Sequence, residues 1–349
     1  MKKKIVLILI IVIALCGCSK NDSKDVLNVL NWSSYIPDDV ISDFEKETGI
    51  KVNYNTYSSN EELLAKVTAS KQGTYDVVFP SDYMVEVMKE RNLLKELDKS
   101  QLNNLANLNN HFMDEYFDRG NTYSLPFLLT MPIVAYDTTK VKEDITSYND
   151  LLNKKYKEDI VLLDDQRIII GMGLIATGSD FNSTDEHQLD TAKKWLLKLR
   201  PNVKAYDSDS PKSFLITEEA SIAYLWSAEA AIAMEENPNI KVVFPAEGSA
   251  KSMDNMTILK GAKNEENAYK FIDYILRNDI MKRIIDYYPY KNLHNDPNHY
   301  IVPLEKSRLI DGTPNIAYDI PIKDIDRGYY VKNIGDTIRV YDEIWTMIK

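Results

Sequence analysis

The stretch from Val26 to Tyr57, VLNVLNWSSYIPDDVISDFEKETGIKVNYNTY, decides the fold class. Val26 to Leu30 is an apolar run that reads as a short buried strand, Asp38 to Thr48 reads as a helix ended by Gly49, and Lys51 to Tyr57 alternates as a second strand. The pattern continues outward. Ser59 with Glu62 makes a capping box for a helix running to Gly73, Asp76 to Pro80 is another apolar strand, and a helix starts at Ser81. Such a β-α-β-α series implies a mostly parallel sheet covered by helices on both faces.

The alternation stumbles at Ser124 to Tyr136, SLPFLLTMPIVAY, a long apolar segment with two prolines. It then resumes: Ile160 to Asp164 reads as a strand, Ser183 with Glu186 caps a helix to Leu199, and Ala220 to Trp226 is a further strand. The proline-marked segment reads as a crossover between two domains, which a chain of 349 residues is long enough to form. The sequence contains no internal repeat.

In open α/β sheets, ligands bind outside the carboxyl ends of the strands. At those ends stand Trp32 to Tyr35, Ser81-Asp82-Tyr83, Asp164-Asp165 and Trp226 to Glu229, with Arg167 the one basic residue close by. Aromatic faces beside carboxylates attract organic cations, because the ring quadrupole and the anion both stabilise positive charge and the ring also covers methylene groups. An anion site would instead need Arg, Lys or free helix N-termini.

The N-terminus carries Lys2, Lys3 and Lys4, the apolar run Ile5 to Leu15, then Leu15-Cys16-Gly17-Cys18 and a polar tether from Ser19 to Lys24. The apolar run is shorter than the ~20 residues of a membrane span, so a signal peptide over 1–17 is expected. Leu-x-Gly-Cys resembles the lipobox of bacterial lipoproteins, which makes Cys18 the expected lipid carrier and 18–25 its tether. The chain has two cysteines, so losing Cys16 and lipidating Cys18 leaves no thiol for a disulfide, a zinc-thiolate site or a nucleophile. Removing the three signal lysines leaves 39 basic against 53 acidic residues, a charge of −14. That balance disfavours nucleic acid and favours cationic ligands.

Taken in order, NWSSYIP (31–37), FEKETGIKV (44–52), YDVVFPS (75–81), YSLP (123–126), Asp164-Asp165, RPNV (200–203), Met253-Asp254 and YYP (287–289) resemble the PotD/PotF-type spermidine/putrescine-binding proteins of polyamine ABC importers. The similarity extends over essentially the whole chain after the signal. It implies a two-lobed α/β fold of the periplasmic-binding-protein type II kind, each lobe a mixed, mostly parallel sheet flanked by helices, with a hinge of crossover strands. Lobe I would comprise residues 26–128 plus 254–300, and lobe II residues 129–253 plus 301–349. The resemblance also implies a monomeric exported lipoprotein, not an enzyme, anchored to the outer face of the membrane by lipid on Cys18. Such a protein captures spermidine or putrescine between its lobes and delivers it to ABC permease subunits.

Carried over position by position, Trp32, Tyr35, Tyr83, Trp226 and Tyr288 match aromatics of the family's polyamine slot. Ser33, Ser81 and Ser208 match its small polar residues, and Asp165 and Asp254 match carboxylates that pair with the amines. Glu229 falls where putrescine-preferring members have an Asp and spermidine-preferring ones have no acid. Three positions depart from the pattern. Ile168 stands where the family has Glu, Ser252 where it has an aromatic, and Val331 where spermidine-preferring members have Gln.

Each of these residues also has a plainer reading. Trp32 could be a core tryptophan, Ser81 a helix N-cap, Asp165 a partner of Arg167 in a surface ion pair, and Glu229 a solvated first-turn acid. Asp164 is left outside the site, since neighbours at a strand exit point to opposite sides. Trp195 and Trp345 recur at helical spacing with apolar residues and are assigned to packing. Gly171, Gly173 and Gly178 miss the dinucleotide-binding spacing and are assigned to close helix packing. His111, His187, His294 and His299 lack ligand spacing, so no metal site is expected. The competing functional class is a hydrolase using two of the carboxylates as acid and base. Within the binding class, another cationic amine is the alternative ligand.

Overall fold

The computed structural model describes residues 25–33, 35–295, 309–310 and 313–349. The expected signal peptide and the expected lipid carrier Cys18 lie outside these residues, as does His299.

Strand β1 (Val26–Trp32) buries Leu27, Val29 and Leu30 completely. It leads into α1 (Asp38–Thr48), which buries Val40 and Phe44 and closes on Gly49 at φ 74, whose N–H donates to the Glu45 carbonyl. Then β2 (Lys51–Tyr57) runs parallel to β1 over its whole length, completing the unit read from the sequence. Ser59 caps α2 (Asn60–Ala69) by accepting the Glu62 N–H, as read, but the Glu62 carboxylate turns to the N–H and hydroxyl of Ser58, and the helix stops at Ala69, short of Gly73. Of the apolar run from Asp76 to Pro80, β3 (Val77–Val78) is the part that pairs, on the other side of β1. Helix α3 (Asp82–Glu90) follows.

The apolar segment with two prolines splits into β4 (Ser124–Thr130) and β5 (Pro132–Asp137), both wholly buried and each in a different sheet. The chain therefore changes sheet at Met131. Beyond it come β6 (Ile160–Leu162), α4 (Gln166–Ala176), α5 (Glu186–Leu199), β7 (Val203–Tyr206), α6 (Pro211–Ile216), β8 (Ile222–Trp226), α7 (Ser227–Glu236) and β9 (Ile240–Val243). These strands form a five-stranded sheet in the order β7-β6-β8-β5-β9, parallel through β7, β6 and β8 and antiparallel at β5. Helix α5 is capped by Asp185, which accepts the Gln188 N–H, rather than by Ser183 with Glu186.

The chain returns through β10 (Ala250–Ile258), which lies antiparallel between β3 and β4, and then adds α8 (Glu265–Ile275), α9 (Asn278–Tyr287) and β11 (Lys291–Asn292). The first sheet has the order β11-β4-β10-β3-β1-β2. A small ribbon of β12 (Leu309–Ile310) and β13 (Thr313–Pro314) follows, then α10 (Ile322–Asp326), β14 (Tyr329–Tyr330) and α11 (Ile338–Ile348). Residues 129–130 and 250–253, assigned to the second lobe from sequence, thus run with the first sheet. Strand β14 pairs with the start of β10, so a second chain segment meets the crossover there. Just before β10, Gly248 sits at φ +88, and a Cβ on it would lie 2.3 Å from the Arg327 carbonyl oxygen. Only glycine lets the two segments approach that closely.

Alternation along β8 places Ile222 and Tyr224 in one apolar cluster, under α4, α5 and α11, and Ala223 and Leu225 in another. A strand buried on both faces needs such an apolar run. In α4, a Cβ on Gly171 would meet the Phe181 ring at 2.3 Å and one on Gly173 would meet Leu196 at 3.0 Å, so these glycines serve close packing. Trp195 donates Nε1 to Asn149 at 2.8 Å and Trp345 packs edge-on against Tyr206 at 5.3 Å, so both are packing residues.

Candidate functional site

Two adjoining cavities, of about 300 and 830 Å³, open at the strand ends where the two sheets face each other. Trp32, Ser81, Ser208, Trp226 and Ser252 belong to both and form the wall between them. Tyr35, Glu229, Asp254 and Tyr288 line the smaller cavity, and Tyr83 and Asp165 the larger. Ser33 lines neither and is exposed, so the structure does not bring it to the site. The three departures from the family pattern all face these cavities: Ile168 and Val331 the larger, Ser252 both.

In the smaller cavity, β10 shifts register between Asp254 and Asn255, a bulge of the kind that re-aims a side chain. It presents Asp254, only 4% exposed, to two hydroxyls: Ser81 donates to Oδ1 and Tyr35 to Oδ2, each at 2.7 Å. Burial raises the Asp254 pKa to about 6, and these hydrogen bonds restrain the rise. The Ser81 hydroxyl therefore serves the carboxylate and makes no cap bond to α3. Trp32 is fixed by its Nε1 donating to the Phe79 carbonyl at 3.0 Å, and its ring stacks on Tyr35 at 6.1 Å. Tyr35 meets Tyr290 at 4.7 Å, and Tyr290 meets Tyr288 at 4.9 Å, which extends the aromatic wall.

Glu229 lies in the first turn of α7, yet is 7% exposed rather than solvated. Its Oε1 accepts from the Tyr288 hydroxyl at 2.7 Å and from Lys212 Nζ at 2.6 Å, while its Oε2 is buried with no hydrogen-bond partner among the described residues.

In the larger cavity, Asp165 is the N-cap of α4, its Oδ1 accepting the N–H groups of Arg167 at 2.9 Å and Ile168 at 3.0 Å. Desolvation raises its pKa, against the pull of those bonds. The Arg167 guanidinium donates instead to Asn182 Oδ1 and the Lys332 carbonyl, so the surface ion pair with Asp165 does not form. Asp164, left outside the slot from sequence, is exposed and pairs with Lys349 at 2.6 Å, yet it lines the larger cavity next to Asp165. The Tyr83 hydroxyl donates to Glu61 Oε1 at 3.0 Å.

Four functional candidates were not assigned to the site from sequence. Tyr290 follows Tyr288 by two residues, and its aromatic type was the available signal. Asp82 directly follows Ser81 and is buried, with its Oδ1 taking the Tyr83 N–H and its Oδ2 the Met253 N–H. Burial, with the nearby Asp254 charge adding to it, raises the Asp82 pKa to about 7. Glu61 and Lys212 carry no local signal, because their places depend on the packing of α2 and α6.

Buried acids under aromatic rings, in a cavity between two sheets, can hold an ammonium and cover the methylenes next to it. Among the described residues there is no group of three or more His, Cys, Asp or Glu that could hold a metal ion.

The family model of the bacterial extracellular solute-binding proteins matches residues 39–292. A spermidine/putrescine-binding periplasmic protein of Salmonella typhimurium is 34% identical over 331 residues, 93% of this chain and 92% of that protein. Among solved structures, the spermidine/putrescine ABC transporter substrate-binding protein PotD of Streptococcus pneumoniae is 31% identical with a TM-score of 0.79, over 93% of this chain and 98% of that one. The PotD lipoprotein of Treponema pallidum reaches a TM-score of 0.81 at 25% identity, over 93% and 99% of the two chains. The expected two-lobed type II fold is thereby established, and with it a binding protein rather than a hydrolase. The chain belongs to the bacterial extracellular solute-binding proteins, in the PotD/PotF family of ABC-importer receptors.

Proposed function

We propose that this chain captures a polyamine, spermidine or putrescine, in the paired cavities and hands it to the permease of an ABC importer. The buried Asp254 carboxylate, held by the hydroxyls of Tyr35 and Ser81 beside an aromatic wall, carries the reading. It takes an ammonium, while Trp32, Tyr35, Tyr290 and Tyr288 cover the methylenes that follow. Asp165, across the shared wall, receives a second ammonium in the larger cavity. Closing of the two lobes about the crossover strands excludes water from the bound chain. The names of the curated relatives, spermidine/putrescine-binding proteins, support the ligand class.

Export and anchoring complete the proposal: cleavage before Cys18 and lipid on its thiol hold a monomeric receptor at the outer face of the membrane. The mass of the mature N-terminus tests that part. Isothermal titration calorimetry against putrescine, cadaverine, spermidine and spermine, with a sugar and an amino acid as controls, tests the ligand. Micromolar or tighter binding to one of the amines is expected. Binding to none of them would remove polyamines as the ligand and leave the fold and family in place.

A further inference from the structure

A cation that belongs to the protein pairs with an acid in the wall of the smaller cavity. Lys212, the second residue of the short helix α6, sends its ammonium to Glu229 Oε1 at 2.6 Å, where the Tyr288 hydroxyl also donates. The Lys212 side chain is 23% exposed, and that of Glu229 10%, so the pair is mostly withdrawn from water. Its backbone is held as well. The preceding turn is tied by Asp207, whose Oδ1 accepts the N–H groups of Asp209 at 2.9 Å and Ser210 at 2.8 Å, and Ser208 and Asp209 line the cavity.

An ammonium 2.6 Å from a carboxylate, with a tyrosine hydroxyl on the same oxygen, is the environment a terminal amine of a ligand would seek. Among the described residues the second oxygen, Oε2, is buried and has no hydrogen-bond partner, so Lys212 is the charge that compensates this carboxylate. Two charge states of the cavity wall can be compared. With Lys212 present, Glu229 is compensated from inside, and Asp254 is the buried acid left for a ligand cation. Without Lys212, both acids face the ligand.

We propose that Lys212 is a specificity-determining residue: its tethered ammonium takes the place beside Glu229 that a ligand amine would otherwise fill, and so lowers by one the number of ammonium groups the slot accepts. This rests on the polyamine reading above. The Glu229 acid, which the family resemblance places where spermidine-preferring members have no acid, is thereby silenced rather than offered to the ligand. The slot as built suits the dication putrescine, and removing the Lys212 charge shifts preference toward the trication spermidine.

The test is calorimetry of the intact protein with putrescine and spermidine in wild type, Lys212→Met, Lys212→Arg and Lys212→Met/Glu229→Gln. Met preserves the aliphatic stem. The ratio of spermidine to putrescine affinity is expected to rise at least about tenfold in Lys212→Met, the scale of coupling between close charges at an interface. Lys212→Arg restores the wild-type ratio, and the double variant loses the gain, since Glu229 then carries no charge for a further ammonium. If Lys212→Met fails to melt cooperatively, Lys212→Gln takes its place in the same comparison. A wild type that binds a polyamine while the neutral variants keep both affinities within about twofold of it would overturn the inference and leave the polyamine reading standing. A wild type that binds neither amine would overturn both.

Discussion

The Tyr35 hydroxyl donates to Asp254 Oδ2 at 2.7 Å across 219 residues of sequence, joining the exit of the first strand to the bulge of the crossover strand. The relationship fixes the buried acid of the smaller cavity that, among the described residues, no lysine or arginine compensates. Replacing Tyr35 with Phe keeps the ring against Trp32 and Tyr290 and removes the donor. A hydrogen bond to a charged group is worth ~1.5–3 kcal/mol, so ionising Asp254 becomes harder and its titration moves above about 6. Polyamine affinity of Tyr35→Phe measured at several pH values should be lower than wild type near neutrality and approach it at higher pH. A loss equal at every pH would assign Tyr35 to ring contact alone.

The raised acids set the sign of the pH dependence. Asp254 rises from its ordinary 3.8 to about 6 and Asp82 to about 7, so the folded chain holds these protons more tightly than the unfolded chain does. Stability of the ligand-free protein from these groups is full below the unfolded value, falls as the pH rises from about 4 to 7, and levels off above it, by roughly 3–4 kcal/mol for each acid. A bound ammonium reverses the trend, because it pairs with ionised Asp254. Its affinity should weaken about tenfold per pH unit below 6. Thermal melts from pH 4 to 8, with and without saturating spermidine, check both slopes, and Asp254→Asn should flatten the difference between them.

Asp165 performs two tasks that substitution can separate. Asn at a helix N-cap still accepts the Arg167 and Ile168 N–H groups, so Asp165→Asn removes charge and keeps the cap, whereas Asp165→Ala loses both at a further cost of about 1 kcal/mol. The two variants should bind polyamines equally weakly, and only Ala should melt earlier than Asn. Wild-type affinity in Asp165→Asn would confine the residue to the cap.

How far the sequence could be read follows from what each residue depends on. Strand and helix periods around β1, α1 and β2 are local, and so were legible, as was the prolyl segment that divides into two strands of separate sheets. The cluster at the strand ends was legible because chain direction and sheet topology alone place it. Caps were less so: Ser183 and Asp185 are both good N-cap residues two positions apart, and only the backbone path chose Asp185. Ser33 shares its segment with Trp32 and Tyr35, and the turn after β1 points it to solvent. Lys212 and Glu229 are 17 residues apart on separate helices, and no spacing rule could join them.

Asp82 is the acid that sequence reasoning placed at a strand end without assigning it a role, and its bonds state what it does. One oxygen accepts the Tyr83 N–H at 2.8 Å and the other the Met253 N–H at 2.9 Å, so it ties the start of α3 to β10 directly beside Asp254. Although it lines the larger cavity, both its oxygens are engaged by backbone N–H groups, so its expected role is to position the binding acid. Asp82→Asn must turn its NH₂ toward one of those two N–H donors, which leaves a buried donor unsatisfied and costs ~1–3 kcal/mol of stability. Binding should suffer less than in Asp254→Asn, where removing a buried charge partner leaves the ligand ammonium uncompensated and costs ~3–5 kcal/mol. Melting temperature and calorimetric affinity of the two variants, compared at one pH above 7, separate the roles. Equal affinity losses in both would place Asp82 against the ligand itself.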